Sequence, residues 1–421
     1  MASRRSFSLV VACCFFSSTK HRKLLKSDEN REFYLFVHSR FHFVALTLLF
    51  LISLLIIFKA PTGKLWLLAV IASEYSIIFA GVTILFLSTN LYVASHTFLG
   101  TIIGLTALVI FLSPIVRAYF IGQTLEHNLE KAFQSTKNTT FAYDQKLVNE
   151  PFTAYKLLRS ISKTSFRTLT YIMYNDLTLT LDFYKSIVPG KRPCLIVIHG
   201  GSWNSGNSKQ LPELNSYLAQ AGYHCAAINY RLAPHWNCPA PIEDVDAAIT
   251  YLRQQADELN IDADNFVLFG RSAGGQVALL AAYTLQQLCI RGVIDLYGPA
   301  DMIWGYMTPT NPLVMNSREV LAKYIGGHYP QMPDKYVASS PIEFVNEQTV
   351  PTLIFHGQID ALVFDEHSRR LASKLEQHGI PHYFLGLPWA THGFDYSLNG
   401  PGGQLSTYAI HYFLNVVTRQ Q

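Results

Sequence analysis

Charge is scarce in this chain: Asp, Glu, Lys and Arg make up 15% of its 421 residues, against 49% hydrophobic residues. Soluble globular chains carry about a quarter charged residues, so a wholly water-exposed fold matches this composition poorly. The net charge of +4 is small. Its basic residues crowd the N-terminal end rather than forming a stripe, which argues against nucleic acid as a partner. Cysteine is sparse too, with six residues at positions 13, 14, 194, 225, 238 and 289. They are too scattered for a disulfide framework and lack the C-x-x-C spacing of a zinc or redox site. Cys194 and Cys225 lie in apolar runs and read as small buried hydrophobes. No internal repeat or low-complexity tract is visible, which excludes a repeat architecture.

In place of charge the chain has long apolar runs. Residues 1–40 form a basic segment with Arg4, Arg5, Lys20, Arg22, Lys23, Lys26, Arg31 and Arg40 against three acidic residues. Three runs then follow at 41–58, 65–87 and 91–112. Each is about long enough to cross a bilayer core, and the reading is a multi-pass transmembrane region of three helices. Glu74, inside the second run, is the weak point, since an intramembrane carboxylate needs a partner helix or water. Gly100 and Gly104 have the spacing that lets helix backbones approach. The positive-inside rule puts the basic segment in the cytoplasm. An odd number of spans then exports whatever follows, and an even number retains it. Val10-Val11-Ala12-Cys13 after two arginines faintly resembles a lipoprotein cleavage site, but the apolar stretch before it is too short for a signal peptide. Residues 113–165 are more polar and read as a juxtamembrane linker.

From 166 to the end the texture changes to strands alternating with helices. Residues 167–173 and 177–184 alternate with period two, as a half-exposed antiparallel pair does. Apolar runs at 194–199, 223–230, 266–269, 292–297, 351–356 and 382–385 follow, with helical stretches near 241–258, 273–288, 365–379 and 404–418. That order predicts an α/β domain with a mostly parallel, eight-stranded sheet and helices on both faces.

Gly270-Arg271-Ser272-Ala273-Gly274 fits Gly-x-Ser-x-Gly. By composition alone roughly one chain in seven of this length carries such a pentapeptide, so its context matters more. The motif follows a buried strand and opens an Ala- and Leu-rich helix. There a serine on a strained turn needs small neighbours, and a new helix offers free N–H groups to an oxyanion. Upstream, His199-Gly200-Gly201-Ser202-Trp203 follows the strand 194–198. Its glycines let backbone N–H groups approach a substrate carbonyl, so Gly200, Gly201 and Ala273 are the expected oxyanion donors.

An acid and then a base should follow the serine. Asp360 comes after the strand 351–356, and His392 comes after the last strand. Ser272, Asp360 and His392 are therefore the expected nucleophile, acid and base. Asp365 and Asp295 compete as acids, and His356 and His199 compete as bases. Tyr230-Arg231 reads as a loop pinned by an arginine, and Glu243, Asp244 and Asp246 read as acidic residues at a helix start. The segment 299–350 breaks the β-α rhythm and is a plausible cap over an acyl pocket.

Together these blocks resemble the α/β-hydrolase superfamily, and within it the hormone-sensitive-lipase-like esterases and the bacterial carboxylesterases of feruloyl or acetyl-xylan type. The resemblance covers about residues 165–420 and rests on His199-Gly200-Gly201-Ser202-Trp203, Asn229 to Pro234, Gly270 to Gly275, His356 to Asp360 and His392-Gly393-Phe394. It implies an α/β-hydrolase fold and the same triad and oxyanion donors, working without cofactor or metal. The family often has a third loop glycine where this chain has Ser202, and an acidic residue where it has Arg271. The first difference argues against bulky tertiary-alcohol esters. The expected activity is a membrane-anchored serine carboxylesterase acting on small, lipophilic esters, with the lipid bilayer as its other partner. The alternatives are an amidase or peptidase, or an inactive hydrolase fold used for binding.

Overall fold

The computed structural model describes residues 28–92, 98–133, 150–159 and 164–418. Most of the basic segment, the Cys13 motif and much of the expected linker lie outside these residues. The chain divides into two compact units, residues 1–51 with 80–109 and residues 52–79 with 110–421.

The first unit is built from parts of three helices: α1 (Asp28–Ser53), α3 (Ser76–Tyr92) and α4 (Phe98–Phe133). Its few polar side chains find partners inside it, since His42 Nε2 lies 2.8 Å from Thr89 Oγ1. At Gly104 the helices pack tightly. A Cβ there would stand 2.6 Å from a Leu87 methyl and 2.9 Å from one of Leu46, so only glycine fits without a shift.

Among the described residues two helices are long and apolar enough to cross a membrane, in the window Ser39–Ile56 and along Phe98–Phe133. The expected second run is not one helix. It is α2 (Gly63–Glu74) and α3, bent by 83° at a break between them. Tyr75 leaves the helical region there, at φ −109° and ψ 29°. Nor does the third run stop at 112. It continues through Pro114 to Phe133 as a single 36-residue helix, because the expected linker begins with the apolar stripe Ala118, Leu125 and Leu129 that the second unit buries.

The second unit is organised on one eight-stranded sheet. Its strands are β1 (Arg167–Met173), β2 (Thr178–Tyr184), β3 (Arg192–Ile198), β4 (His224–Ile228), β5 (Ile261–Arg271), β6 (Ile290–Leu296), β7 (Thr352–Gly357) and β8 (His382–Leu387). Their order is β1-β2-β4-β3-β5-β6-β7-β8. The pairs β1–β2 and β2–β4 are antiparallel, and all later pairs are parallel. The strand count and the antiparallel start match the expectation, while β5 begins five residues earlier than its apolar run, where Ile261 pairs with Arg192.

Both faces of the central strands are buried. Ile196 and Leu268 belong to the core cluster with Val245, Ile249 and Val277 of α6 (Ala240–Gln254) and α7 (Ala273–Thr284). Their chain neighbours Val197 and Phe269, which point to the opposite face, are buried as well. That face carries α5 (Pro212–Gln220), which contacts β2 and β4, and α12 (Pro401–Val417), which contacts β6 and β7. Segment 299–350 folds as three short helices, α8 (Met302–Met307), α9 (Ser317–Ile325) and α10 (Pro333–Ala338). α11 (Glu366–Gln377) follows β7.

Two pieces of the apolar N-terminal region belong to this unit. The end of α4 sets Phe133 5.1 Å from Phe413 of α12. α2 packs Ala69 in a cluster with Leu55, Ala60 and Ala361, joined by Trp66, Leu68, Val314 and Leu362.

Candidate active site

The strand β5 ends at Arg271 and α7 begins at Ala273, so Ser272 is the whole of the turn between them. Its φ of 54° and ψ of −121° are sterically costly for a residue with a side chain. Sequence permits the turn by removing side chains around it. A Cβ on Gly270 would lie 2.0 Å from Gly274 O, and one on Gly274 would lie 2.2 Å from Ile198 O. The glycines let strand, turn and helix pass this closely and leave the serine hydroxyl pointing outward.

His392 Nε2 lies 2.8 Å from Ser272 Oγ, and His392 Nδ1 lies 2.6 Å from Asp360 Oδ2. The other Asp360 oxygen accepts the N–H groups of Leu362 at 2.8 Å and Val363 at 3.0 Å, which fixes the carboxylate. Burial alone would raise the Asp360 carboxyl. The charges and hydrogen bonds of His392 and His356 outweigh that and hold it well below its ordinary value. The residue is thus ionised, and the line Ser272–His392–Asp360 can move one proton from the serine oxygen to the imidazole.

The rival residues are occupied elsewhere. His356 bonds Ser368 Oγ at 2.7 Å through Nδ1 and Val363 O at 2.9 Å through Nε2, with Asp360 Oδ2 a further 3.3 Å from Nε2. His199 stacks on Tyr230 at 4.3 Å, and burial lowers it to about 4, so it stays neutral near pH 7. Asp295 accepts from Gly298 N at 2.9 Å, and burial raises it to about 7. Asp365 pairs with Arg369 at 2.9 Å. Arg231 is the loop pin expected of it, bonded to Asp244 at 2.8 Å and Glu243 at 2.6 Å.

The oxyanion loop departs from expectation at one position. Gly200 N donates to Gln210 Oε1 at 2.7 Å, so this N–H is already engaged. A long side chain ten residues downstream reaches back into the loop, a contact that motif spacing does not reveal. The next residues are held in unusual conformations, with Gly201 at φ 128°, Ser202 at 53° and Trp203 at 59°. A Cβ on Gly201 would meet Ser205 O at 2.1 Å. Ala273 is the first residue of α7, where a helix leaves its N–H without an internal acceptor. Beside the loop a small, mostly apolar pocket of about 50 Å³ is lined by Trp203, Met302, Met315, Leu321, Val363 and Phe364.

Sequence reasoning missed a buried set around the site. Arg271, next to the serine, pairs with Asp395, three residues beyond His392, and Tyr297 donates its hydroxyl to the same carboxylate. Arg271 and Asp395 are both almost fully buried. They tie the turn bearing the serine to the loop bearing the histidine, and the Tyr297 ring lies 4.4 Å from the imidazole. The arginine where the family often has an acid was the visible signal, but its partner was not. Equally unforeseen, Trp66 of α2 donates its indole N–H to His392 O at 2.9 Å.

Residues 181–375 match the BD-FAE family. Esterase LipC of Mycobacterium tuberculosis H37Rv is 31% identical over 54% of this chain and 59% of its own length. Esterase LipQ of the same organism is 30% identical over 51% of this chain and 54% of its own. Among solved structures, a bacterial heroin esterase superposes with a TM-score of 0.52 at 23% identity, covering 69% of this chain and 98% of that one. The chain has the α/β-hydrolase fold, and over part of its length it is similar to esterases. It spans between half and three-fifths of the length of the curated relatives it matches first. The α/β-hydrolase residues are those of the second unit, and the elbow at Ser272 stands where the sheet and α7 meet.

Proposed function

We propose that this protein is a membrane-anchored serine carboxylesterase, with Ser272 as nucleophile, His392 as general base and acid, and Asp360 as the residue that orients and stabilises the imidazolium. The observation that carries this reading is the unbroken contact from Ser272 Oγ through His392 to Asp360, on a strained strand-to-helix turn. Oγ attacks the ester carbonyl carbon as His392 Nε2 takes its proton. The carbonyl oxygen becomes an oxyanion facing the N–H groups of Gly201, Ser202 and Ala273, with Gly200 holding the loop through Gln210. His392 then gives the proton to the leaving alkoxide, and the acyl group remains on Ser272. Water repeats the cycle and frees the acid.

Length and hydropathy support two spans, the window Ser39–Ile56 and the first part of α4. α2 and α3 together are long and apolar enough for a third, of which we assign the 17-residue α3 to the membrane. At 1.5 Å per residue, 36 residues run about 54 Å, well beyond a hydrocarbon core of about 30 Å. The end of α4 therefore reaches past the membrane and packs on the catalytic region, residues 166–421, over whose pocket the segment 299–350 acts as a cap. Because α2 also packs on that region, the chain returns to the catalytic side between the first and second spans. Three crossings follow, and with the basic segment in the cytoplasm the hydrolase faces the other side. A reporter enzyme active only outside the cytoplasm, fused after the catalytic region, tests this. Activity is expected, and silence with a fully expressed fusion overturns it.

The full chain, purified in detergent, should hydrolyse p-nitrophenyl acetate, butyrate and octanoate, and Ser272→Ala should lower kcat by about a thousandfold or more. Equal rates in wild type and variant would remove Ser272 from the reaction. A wild type that cleaves amides but not esters would move the activity to an amidase.

A further inference from the structure

The apolar N-terminal region does more than tether the enzyme. α2 grips both loops that carry the acid and the base. Ala361 and Leu362, directly after Asp360, pack in the cluster with Ala69, Trp66 and Leu68. Trp66 donates its indole N–H to the backbone carbonyl of His392 at 2.9 Å, with its ring 6.3 Å from the imidazole. The helix is itself held at its start, where Gly63 N donates to Leu313 O at 3.1 Å and Asn311 Nδ2 donates to Pro61 O at 3.2 Å. Lys59 lies over the Phe364 ring at 4.2 Å. At its end Glu74 accepts the Gly402 N–H.

We propose that Trp66 is a positioning residue for His392, so that α2 is a working part of the active site. The inference rests on the esterase reading above. The His392 carbonyl sits on a loop between β8 and α12, and among the described residues its acceptor contact is with Trp66. Without that N–H the loop can rotate, and the imidazole loses its alignment between Asp360 and Ser272. Alignment errors of this kind act on the chemical step rather than on binding.

The test is Trp66→Phe in the full-length protein, beside Leu68→Ala. The first keeps a ring in the cluster and removes the N–H. The second removes apolar surface from the same cluster and leaves His392 untouched. Trp66→Phe should lower kcat on p-nitrophenyl acetate about five- to tenfold with KM nearly unchanged, while Leu68→Ala lowers the melting temperature at least as much and kcat less than twofold. Labelling of Ser272 by a fluorophosphonate should slow by the same factor in Trp66→Phe. That rate reports the activation of Ser272 even if wild type turns over no ester, which separates this proposal from the esterase reading. Equal kcat and labelling rates in Trp66→Phe and wild type overturn the proposal. So does a fall in kcat that follows melting temperature equally in both variants.

Discussion

Tyr75 separates two helices of similar apolar composition. α2 reads Gly-Lys-Leu-Trp-Leu-Leu-Ala-Val-Ile-Ala-Ser-Glu, and α3 continues Ser-Ile-Ile-Phe-Ala-Gly-Val-Thr-Ile-Leu-Phe-Leu. By hydropathy they form one span. α2 nevertheless buries Ala69, Val70, Ala72, Ser73 and Glu74, and its Trp66 and Glu74 bond backbone atoms of the catalytic region. α3 exposes Ile78, Val82, Ile84 and Leu85, and no charged residue occurs in it. A window average treats the indole and the carboxylate as small corrections, whereas here they decide which protein surface the helix joins. The largest test of this contrast removes residues 1–140. That takes away α2 and the part of α4 that buries Leu125 and Leu129. The remaining catalytic region should be insoluble, or folded with Ser272 unlabelled by a fluorophosphonate. A soluble fragment with full activity would reduce α2 to a tether.

Acid should act unequally on the two kinds of structure. Burial lowers His199, His224 and His411 of the catalytic region each to about 4. The fold favours their neutral forms, so their contribution is complete above the unfolded value of about 6.5 and is lost as pH falls toward 4. Each is worth at most about 3 kcal/mol. Asp295, raised to about 7 by burial, acts in the opposite direction and offsets part of the loss, because its contribution disappears as pH rises toward 7. α3 has nothing that titrates in this range. Near-ultraviolet circular dichroism and activity should therefore fall between pH 6.5 and 4, while much of the far-ultraviolet helical signal persists. A simultaneous loss of both would mean that the apolar helices depend on the catalytic region for their own stability.

The sheet, the strained turn at Ser272 and the contact of Ser272 with His392 and Asp360 were legible because each leaves a short local trace: buried strands bounded by turns, glycines around a strained serine, and a polar residue just past a strand end. What escaped the sequence were contacts over long separations. Glu74 meets Gly402, 328 positions away, Trp66 meets His392, and Arg271 meets Asp395. Gln210 takes the Gly200 N–H although nothing in the loop motif calls for it. The break at Tyr75 lies directly after Glu74, whose bonded partner is at a helix start far along the chain.

The buried ion pair beside the serine gives the next largest effect. Arg271→Met removes the positive partner of Asp395 and leaves a buried carboxylate with, among the described residues, the Tyr297 hydroxyl to bond it. Breaking such a pair from one side costs about 3–5 kcal/mol. Denaturant unfolding should show the loss. A loss below about 1 kcal/mol would mean that solvent reaches Asp395 and that the serine and histidine loops are tied by other contacts.

The smallest effect is the sharpest probe of the two helices. Gly400 and Gly402 lie against the Glu74 carboxylate, and a Cβ on Gly400 would stand 2.3 Å from Oε2. The carboxylate thus occupies space that only glycine leaves free, at the start of α12, where unpaired N–H groups favour an acceptor. Glu74→Ala leaves the Gly402 N–H unsatisfied and should cost about 2 kcal/mol. Ile84→Ala, on the exposed face of α3, should cost less than about 1 kcal/mol. Gly400→Ala adds the second leg of a cycle. In the wild-type background its Cβ meets the carboxylate, while in Glu74→Ala that obstacle is gone, so the two losses should not add. Thermal unfolding of the four proteins in one detergent reads the coupling. A coupling near zero would mean that Glu74 does not hold α2 to α12, and the two halves of the apolar run would then differ only in where the chain bends.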